Sequence, residues 1–222
     1  VNTTADSLSD DGQCSLREAV IAANTDRATG GCPAGNGADT IVFDSTLTSS
    51  STFALTLTGP NEDNSTSGDL DLTGILTIQG TGADQIIIDG NGTDRVFDIR
   101  PGATVTISSI TIQNGNPGSG ANGGGIIVTG GTPRAKLTLL NSMVKNNTAI
   151  IGGGIQNAGN GATIVLQDTQ IISNFAATSG GGIANSGEIG QEKSELERTP
   201  GVELPARRDF HCLVHHCERA AQ

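Results

Sequence analysis

The strongest case for chemistry in this chain lies in one acidic stretch. Asp69 and Asp71 are two apart, on one face if the stretch is a strand, and Asp84, Asp89, Asp94 and Asp98 follow, with Arg95 and Arg100 among them. Carboxylates in such a group can hold Ca2+, which acidifies the C5 proton of a uronic acid while Lys or Arg removes it. Asp84, Asp89, Asp94 and Arg95 are the catalytic candidates of that reading, and Ca2+ its possible cofactor. The plainer reading makes each Asp a turn residue that accepts backbone N–H bonds, and it leaves the chain with no catalytic residue and no cofactor. Hydrolysis by paired carboxylates has less support: Asp10 and Asp11 are adjacent but precede the repeats described below, and no histidine falls in the body of the chain. A second group lies near the end, where His211, Cys212, His215, His216 and Cys217 crowd together. Two Cys and two His can bind zinc, but zinc sites usually draw on two separated pairs, so metal binding stays open.

These groups need a scaffold, and composition bounds what it can be. The 222 residues suit one domain. Glycine numbers 32, Phe only five, and Trp and Tyr are absent, so the aromatic platforms that ordinarily bind sugars are missing. A net charge of -11 argues against nucleic acid and anionic membranes, which both reward basic clusters. No apolar run reaches the roughly 18 residues of a membrane span. The start at Val1, with no Met, reads as a processed or trimmed end. Cys14 and Cys32 bracket a loop whose closure by a disulfide contributes roughly 3 kcal/mol in the chain-entropy picture; two free buried thiols are the alternative, and an extracellular style of composition favours the bridge.

The scaffold itself is written in repeats. "GGGIQN" at Gly152 to Asn157 returns as "GGGIAN" at Gly180 to Asn185, with a partial copy, "GGGIIV", from Gly123. Aligning the triplets aligns the segments before them: Ile107, Leu139 and Leu166 correspond, then Ile112, Val144 and Ile171, and then Asn114, Asn146 or Asn147, and Asn174. The first interval is enlarged by "GNPGSGANG" (Gly115 to Gly123), as an insertion looping out of a stack should be. Short β-branched runs separated by Gly, Asn and Asp predict many short strands, and the alternation of Val105 and Ile107 with Thr104 and Thr106 gives each strand one apolar face. The expected fold is all-β, a parallel β-helix of five or six coils. Gly152, Gly153, Gly154, Gly180, Gly181 and Gly182 are structural, permitting sharp turns and close approach. Ile155 and Ile183 should stack inside above Ile126, and Asn157 and Asn185 should form an amide ladder.

An open β-helix end invites strand addition, and "CSLREAVIAAN" (Cys14 to Asn24) reads as its cover. Ser15 and Glu18 make a capping box, and Leu16, Ala19, Val20 and Ala23 share one helix face. "ADTIVFD" (Ala38 to Asp44) follows as the first strand. These stretches closely resemble the CSLREA-type N-terminal domain of bacterial surface and secreted β-helix proteins, and the later GGGI units are similar to the repeats of polymorphic outer-membrane proteins. The resemblance covers about residues 1 to 187. It implies a right-handed parallel β-helix, exported to the cell surface or medium, with adhesion or display as its role.

The expected organisation is a cap over residues 1–37, coils over 38–187 and a divergent tail over 188–222. The last 35 residues hold 12 charged side chains and two glycines, against 23 and 30 before them, so the repeat stops at Glu188. A disordered segment, a short helix over the last coil, or the zinc site remain open for the tail. The function that follows is a secreted or surface structural and adhesin-like module. Its partner is an unknown surface ligand or polysaccharide, its contacts lie on coil-edge loops such as Gly115 to Gly123, and a Ca2+-dependent polysaccharide lyase is the alternative. The two differ in geometry: a lyase brings three or more of the Asp together with an Arg or Lys in one groove, and a display module leaves them dispersed.

Overall fold

The chain is a β-solenoid, described by a computed structural model for residues 1–47, 50–59, 62–159, 161–192 and 195–196. It opens with helix α1 (Leu16–Thr25). The coils follow as β1 (Ala38–Val42), β2 (Ser51–Ala54) and β3 (Leu70–Leu72), then β4 (Ile75–Gln79), β5 (Ile86–Asp89) and β6 (Phe97–Ile99), then β7 (Thr104–Ser108), β8 (Thr111–Gln113) and β9 (Ile126–Val128). The later coils gain a strand: β10 (Lys136–Leu140), β11 (Met143–Lys145), β12 (Thr148–Ile151) and β13 (Ile155–Asn157), then β14 (Thr163–Gln167), β15 (Gln170–Ile172), β16 (Phe175–Ser179) and β17 (Ile183–Asn185), before β18 (Glu188–Glu192) and β19 (Glu195–Leu196). Each passage adds a parallel strand to each of three sheets, ordered β1-β4-β7-β10-β14-β18, β2-β5-β8-β11-β15-β19 and β3-β6-β9-β13-β17, and β12 pairs with β16.

Register turns the sequence alternation into columns. Leu76, Val105, Leu137 and Ile164 align across the first sheet, as do Ile78, Ile107, Leu139 and Leu166, and all are buried. Phe97, Ile126 and Ile155 form the matching column of the third sheet, with Ile183 as its partly buried last rung. Corners between sheets need single left-handed residues. Ser109, Asn141 and Asp168 supply one corner and Asn114, Asn146 and Ser173 the next, all with φ between 46° and 56°, a conformation that Asn and Asp tolerate better than branched residues.

The glycine triplet does two jobs. Gly152 turns the chain with φ +67°, and Gly153 and Gly154 sit where a Cβ would strike backbone oxygens of the next coil. The space at Gly154 lies against the Asn174 amide, 2.9 Å from where the Cβ would stand, and Gly125 stands likewise against Asn147.

This corner carries a polar ladder that the sequence reading placed only approximately. Asn146 continues the corner column of Asn114, and it is Asn147 that turns inward with Asn174: its Nδ2 donates to Asn174 Oδ1 (3.0 Å) and to Ile112 O, while its Oδ1 accepts from Gly115 N. Asn157 donates to Asn185 Oδ1 at 2.8 Å as expected, but Val128 lies beneath it, so that ladder has two rungs. Replacing Asn147 with Ala removes the buried side-chain partner of the Gly115 N–H and the Ile112 carbonyl. We expect a loss of about 2 kcal/mol in chemical denaturation; a variant as stable as the parent would show that the ladder is decorative.

Pairing runs through the composition break at Glu188. Glu188 to Glu192 lie in register on Thr163 to Gln167, and β19 lies on β15, because a backbone ladder does not depend on the side chains along it. The Cys212, Cys217 and histidine group lies outside the described residues.

The first coil is covered by α1. Ser15 Oγ accepts from Glu18 N, Glu18 Oε2 accepts from Ser15 N, and Leu16, Ala19 and Val20 enter the core. Cys14 and Cys32 form a disulfide. The helix also buries Arg17, which is fully inaccessible. Its guanidinium grips Asp6 through Nε and Nη2 and donates to the carbonyls of Ser65, Gly68 and Asp69. Asp6 in turn accepts from Thr56 N and Leu57 N. Arg17 thus joins three segments: the N-terminal strand of chain, the helix and the loop before β3.

Candidate functional site

The loop held by Arg17 is one wall of the acidic region. Asp71 on β3 and Asp98 on β6 are neighbours in register, so the alternation that buries Leu70, Leu72, Phe97 and Ile99 turns both carboxylates the other way. Asp69 enters from the start of β3, and Asp94 and Arg95 from the turn before β6. Gly68, at φ +61°, lets the wall approach: a Cβ there would stand 2.6 Å from Asp94 Oδ2. The opposite wall is the inserted loop after β8, tied down by Asn116 N donating to Asp94 O. The result is a groove of about 190 Å³ lined by Glu62, Asp63, Asp69, Asp94, Arg95, Asp98, Pro117 and Ala121.

Two arginines organise the charges. Arg95 Nε lies 2.9 Å from Asp69 Oδ2 and its guanidinium 4.0 Å from Asp94 and Asp98. Arg100 Nη1 lies 3.0 Å from both Asp63 and Asp98 and 3.6 Å from Asp71. Asp98 also accepts from Thr129 Oγ1. Carboxylates outnumber guanidiniums, and Asp71, 1% exposed, keeps Oδ1 without a hydrogen bond while Oδ2 accepts from Ser65 N.

The candidates named from sequence separate here. Asp94 and Arg95 reach the groove. Asp84 does not: it is an exposed residue bonded to the neighbouring Gln85 amide. Asp89 is occupied by structure, accepting from Asn91 N, Gln113 Nε2 and Asn114 Nδ2. Asp69 and Asp98 take their place, with Asp71 behind them on Arg100, and Asp63 and Glu62 join from the loop. The last two are not discernible from strand spacing, because the loop that folds them back is positioned by Arg17 from the cap.

The Asp69 carboxyl is pushed up to about 8 by burial, against the pull of Arg95 and with help from Asp94, Asp71 and Asp98. Burial likewise raises Asp71 to about 6, opposed by the Ser65 hydrogen bond and Arg100 and aided by Asp98 and Glu62. Both values exceed the 3.8 of an unperturbed Asp, so the folded chain holds more protons than the unfolded one between about pH 4 and about pH 8, and stability falls as pH rises through that window. We expect the melting temperature to decline across it and the Asp69→Asn variant to lose most of the decline; the same slope in parent and variant would refute the assignment to Asp69. Arg100 is also held above its ordinary value: burial pulls it down, but the Asp98 and Asp63 carboxylates beside it outweigh that pull.

As chemistry, the groove meets the geometric criterion set for a lyase, with Asp69, Asp94 and Asp98 gathered on one Arg rather than dispersed. Both guanidiniums, however, are already engaged in ion pairs with the carboxylates around them. The acids also repel a polyuronate. No group of side chains suited to a metal ion occurs among the described residues. Nor is any helix there long and apolar enough to cross a membrane. No known family model, curated protein or solved structure matches the chain.

Proposed function

We propose that this chain is an exported display module of the CSLREA type, a rigid solenoid that presents recognition loops at the cell surface or in the medium. The observation that carries the reading is the placement of two long loops: the segment before β3 and the insertion after β8 come from nearby coils and meet across one groove. Such a scaffold fixes the loops at little conformational cost. The Cys14–Cys32 bridge fits an oxidising compartment, and the motifs Cys14 to Asn24 and Ala38 to Asp44 support the family assignment.

The test is protease treatment of intact cells that produce the protein. Exposure of the chain while a cytosolic marker survives, with Cys14 and Cys32 resistant to thiol alkylation, is the expected outcome. Protection of the chain and free thiols would refute export. The convergence of Asp69, Asp94 and Asp98 on Arg95 favours a second reading, the Ca2+-dependent lyase. It predicts an unsaturated, ultraviolet-absorbing product from a panel of uronic-acid polysaccharides, lost in the Arg95→Ala and Asp98→Asn variants. We expect no product.

A further inference from the structure

We propose that Asn36 is a site of self-modification, where the backbone nitrogen of Gly37 displaces the side-chain amide and Asp26 is the base that takes its proton. Ring closure of this kind meets least hindrance at an Asn-Gly pair, because glycine puts no Cβ beside the attacking nitrogen. The chain holds five such pairs, beginning at Asn36, Asn91, Asn114, Asn122 and Asn160. Asn160 lies outside the described residues. Among the other four, Asn36 is set apart by the group that faces the glycine N–H.

Gly37 N donates to Asp26 Oδ1 at 2.7 Å, and a carboxylate can take that proton outright. Asp26 is placed there by the helix: it ends α1 in the left-handed conformation, φ 52°. At the other three pairs the acceptor is an amide oxygen, a far weaker base. Gly92 N donates to Asn114 O (2.8 Å), Gly123 N to Ile151 O (2.9 Å) and Gly115 N to Asn147 Oδ1 (2.8 Å). Gly115 and Gly123 are also buried, and the Asn114 amide is held by Asp89. Around Asn36 the backbone is pinned while the side chain is free. Asn36 N donates to Asp39 Oδ1 and its carbonyl accepts from Ala38 N, but its side-chain amide bonds to no described residue. Asp26, Asn36 and Gly37 are exposed, and a Cβ on Gly37 would meet no atom within 4 Å, so the ring has room and water has access.

Water is the only other reactant. Asp26 Oδ1 takes the Gly37 proton, the bond from Gly37 N to Asn36 Cγ forms, and the Asn36 Cγ–Nδ2 bond breaks as ammonia leaves with that proton. The product is a five-membered succinimide. Water then opens it at either carbonyl, giving an aspartate at position 36 or its β-linked isomer, whose backbone is one methylene longer. The succinimide has no N–H at Gly37, so Asp26 loses its partner, and hydrolysis sets a new carboxylate near Asp26 and Asp39. The tie between the end of α1 and the segment that enters β1 is thereby released, and the modification acts on the cap.

The experiment is incubation of the full, oxidised chain at neutral pH, folded and in guanidinium, with peptide mass spectrometry following amide-to-acid conversion at each Asn-Gly pair. We expect Asn36 to convert first in the folded chain and faster than in guanidinium, while Asn91, Asn114 and Asn122 convert more slowly folded than unfolded. Asp26→Asn keeps the side-chain size, tolerates the left-handed φ and still offers an oxygen to Gly37 N, so it removes the base and spares the loop. It should slow conversion at Asn36 by about tenfold or more. A rate in Asp26→Asn equal to or above the parent's would mean that the hydrogen bond does not activate Gly37, and the assignment would fall. Conversion of Asn91 ahead of Asn36 in the folded chain would overturn it too, as would conversion of Asn36 more slowly folded than unfolded, a comparison that needs no variant. The converted protein, separated from the parent, should show faster amide exchange over α1; unchanged exchange there would refute the effect on the cap.

Discussion

Arg17→Met should destabilise the protein by about 3–5 kcal/mol, the usual consequence of removing one partner from a buried ion pair. Methionine keeps much of the volume, so the loss reports charge and hydrogen bonding. The Asp6 carboxylate, 3% exposed at its side chain, would remain buried with only the Thr56 and Leu57 N–H groups to hold it, and the Ser65 and Gly68 carbonyls would lose their donor. Urea denaturation of parent and variant measures the difference. Adding Asp6→Asn to the variant should restore part of the loss, because a neutral amide no longer strands a charge. A single variant within 1 kcal/mol of the parent would mean that water replaces the guanidinium, and the account of the cap would be wrong. Since Arg17 holds the segment that carries Asp63 and Asp69, the same variant should also loosen the groove, read as faster amide exchange over residues 62–69 than over the later coils.

Loss of the Cys14–Cys32 bridge is the second large effect. Its 18-residue separation sets a loop-closure contribution of about 3 kcal/mol. The bridge fixes the N-cap end of α1 to the return loop, where Gly31 N donates to Gln13 O and Cys14 N to Asn2 Oδ1. We expect the Cys14→Ser, Cys32→Ser protein to unfold at lower guanidinium concentration than the oxidised parent, and the reduced parent to match it. Combined with Arg17→Met the losses should fall short of additive, because both release the same helix from the same coil. Strict additivity would show that the two ties act on independent parts of the cap.

The pattern of strands and the helix was legible for a common reason. Both are local: alternation at Val105 and Ile107 decides which side chains face inward whatever lies on the next coil, and Ser15 and Glu18 cap a helix start within four residues. The repeat supplied register as well, since aligning the glycine triplets aligned Ile155 with Ile183 as the sheets pair them. What spacing left open was resolved at a corner: Asn146 and Asn147 are equivalent in a period count, and only the left-handed φ of 56° at Asn146 sends Asn147 inward. The continuation of the pairing past Glu188 was equally hidden, because the charged residues there still donate and accept through their backbones.

By itself the sequence determined the solenoid, its apolar columns and its helical cap, since periodicity and capping act over a few residues and need no knowledge of the rest. Which members of the acidic stretch meet in the groove was decided by tertiary structure. Asp94 and Arg95 were within reach of a strand-by-strand reading, but Arg95's partner Asp69, and the Asp63 and Asp71 that share Arg100, come from the previous coil, and the far wall from the next. Arg17, read in sequence as one polar residue of a capping helix, positions that loop from a distance of about fifty residues along the chain. Charges meet through space with energies set by separation and burial, neither of which is ordered along the chain, so a list of acidic residues could not distinguish Asp89, held in a turn, from Asp98 in the groove.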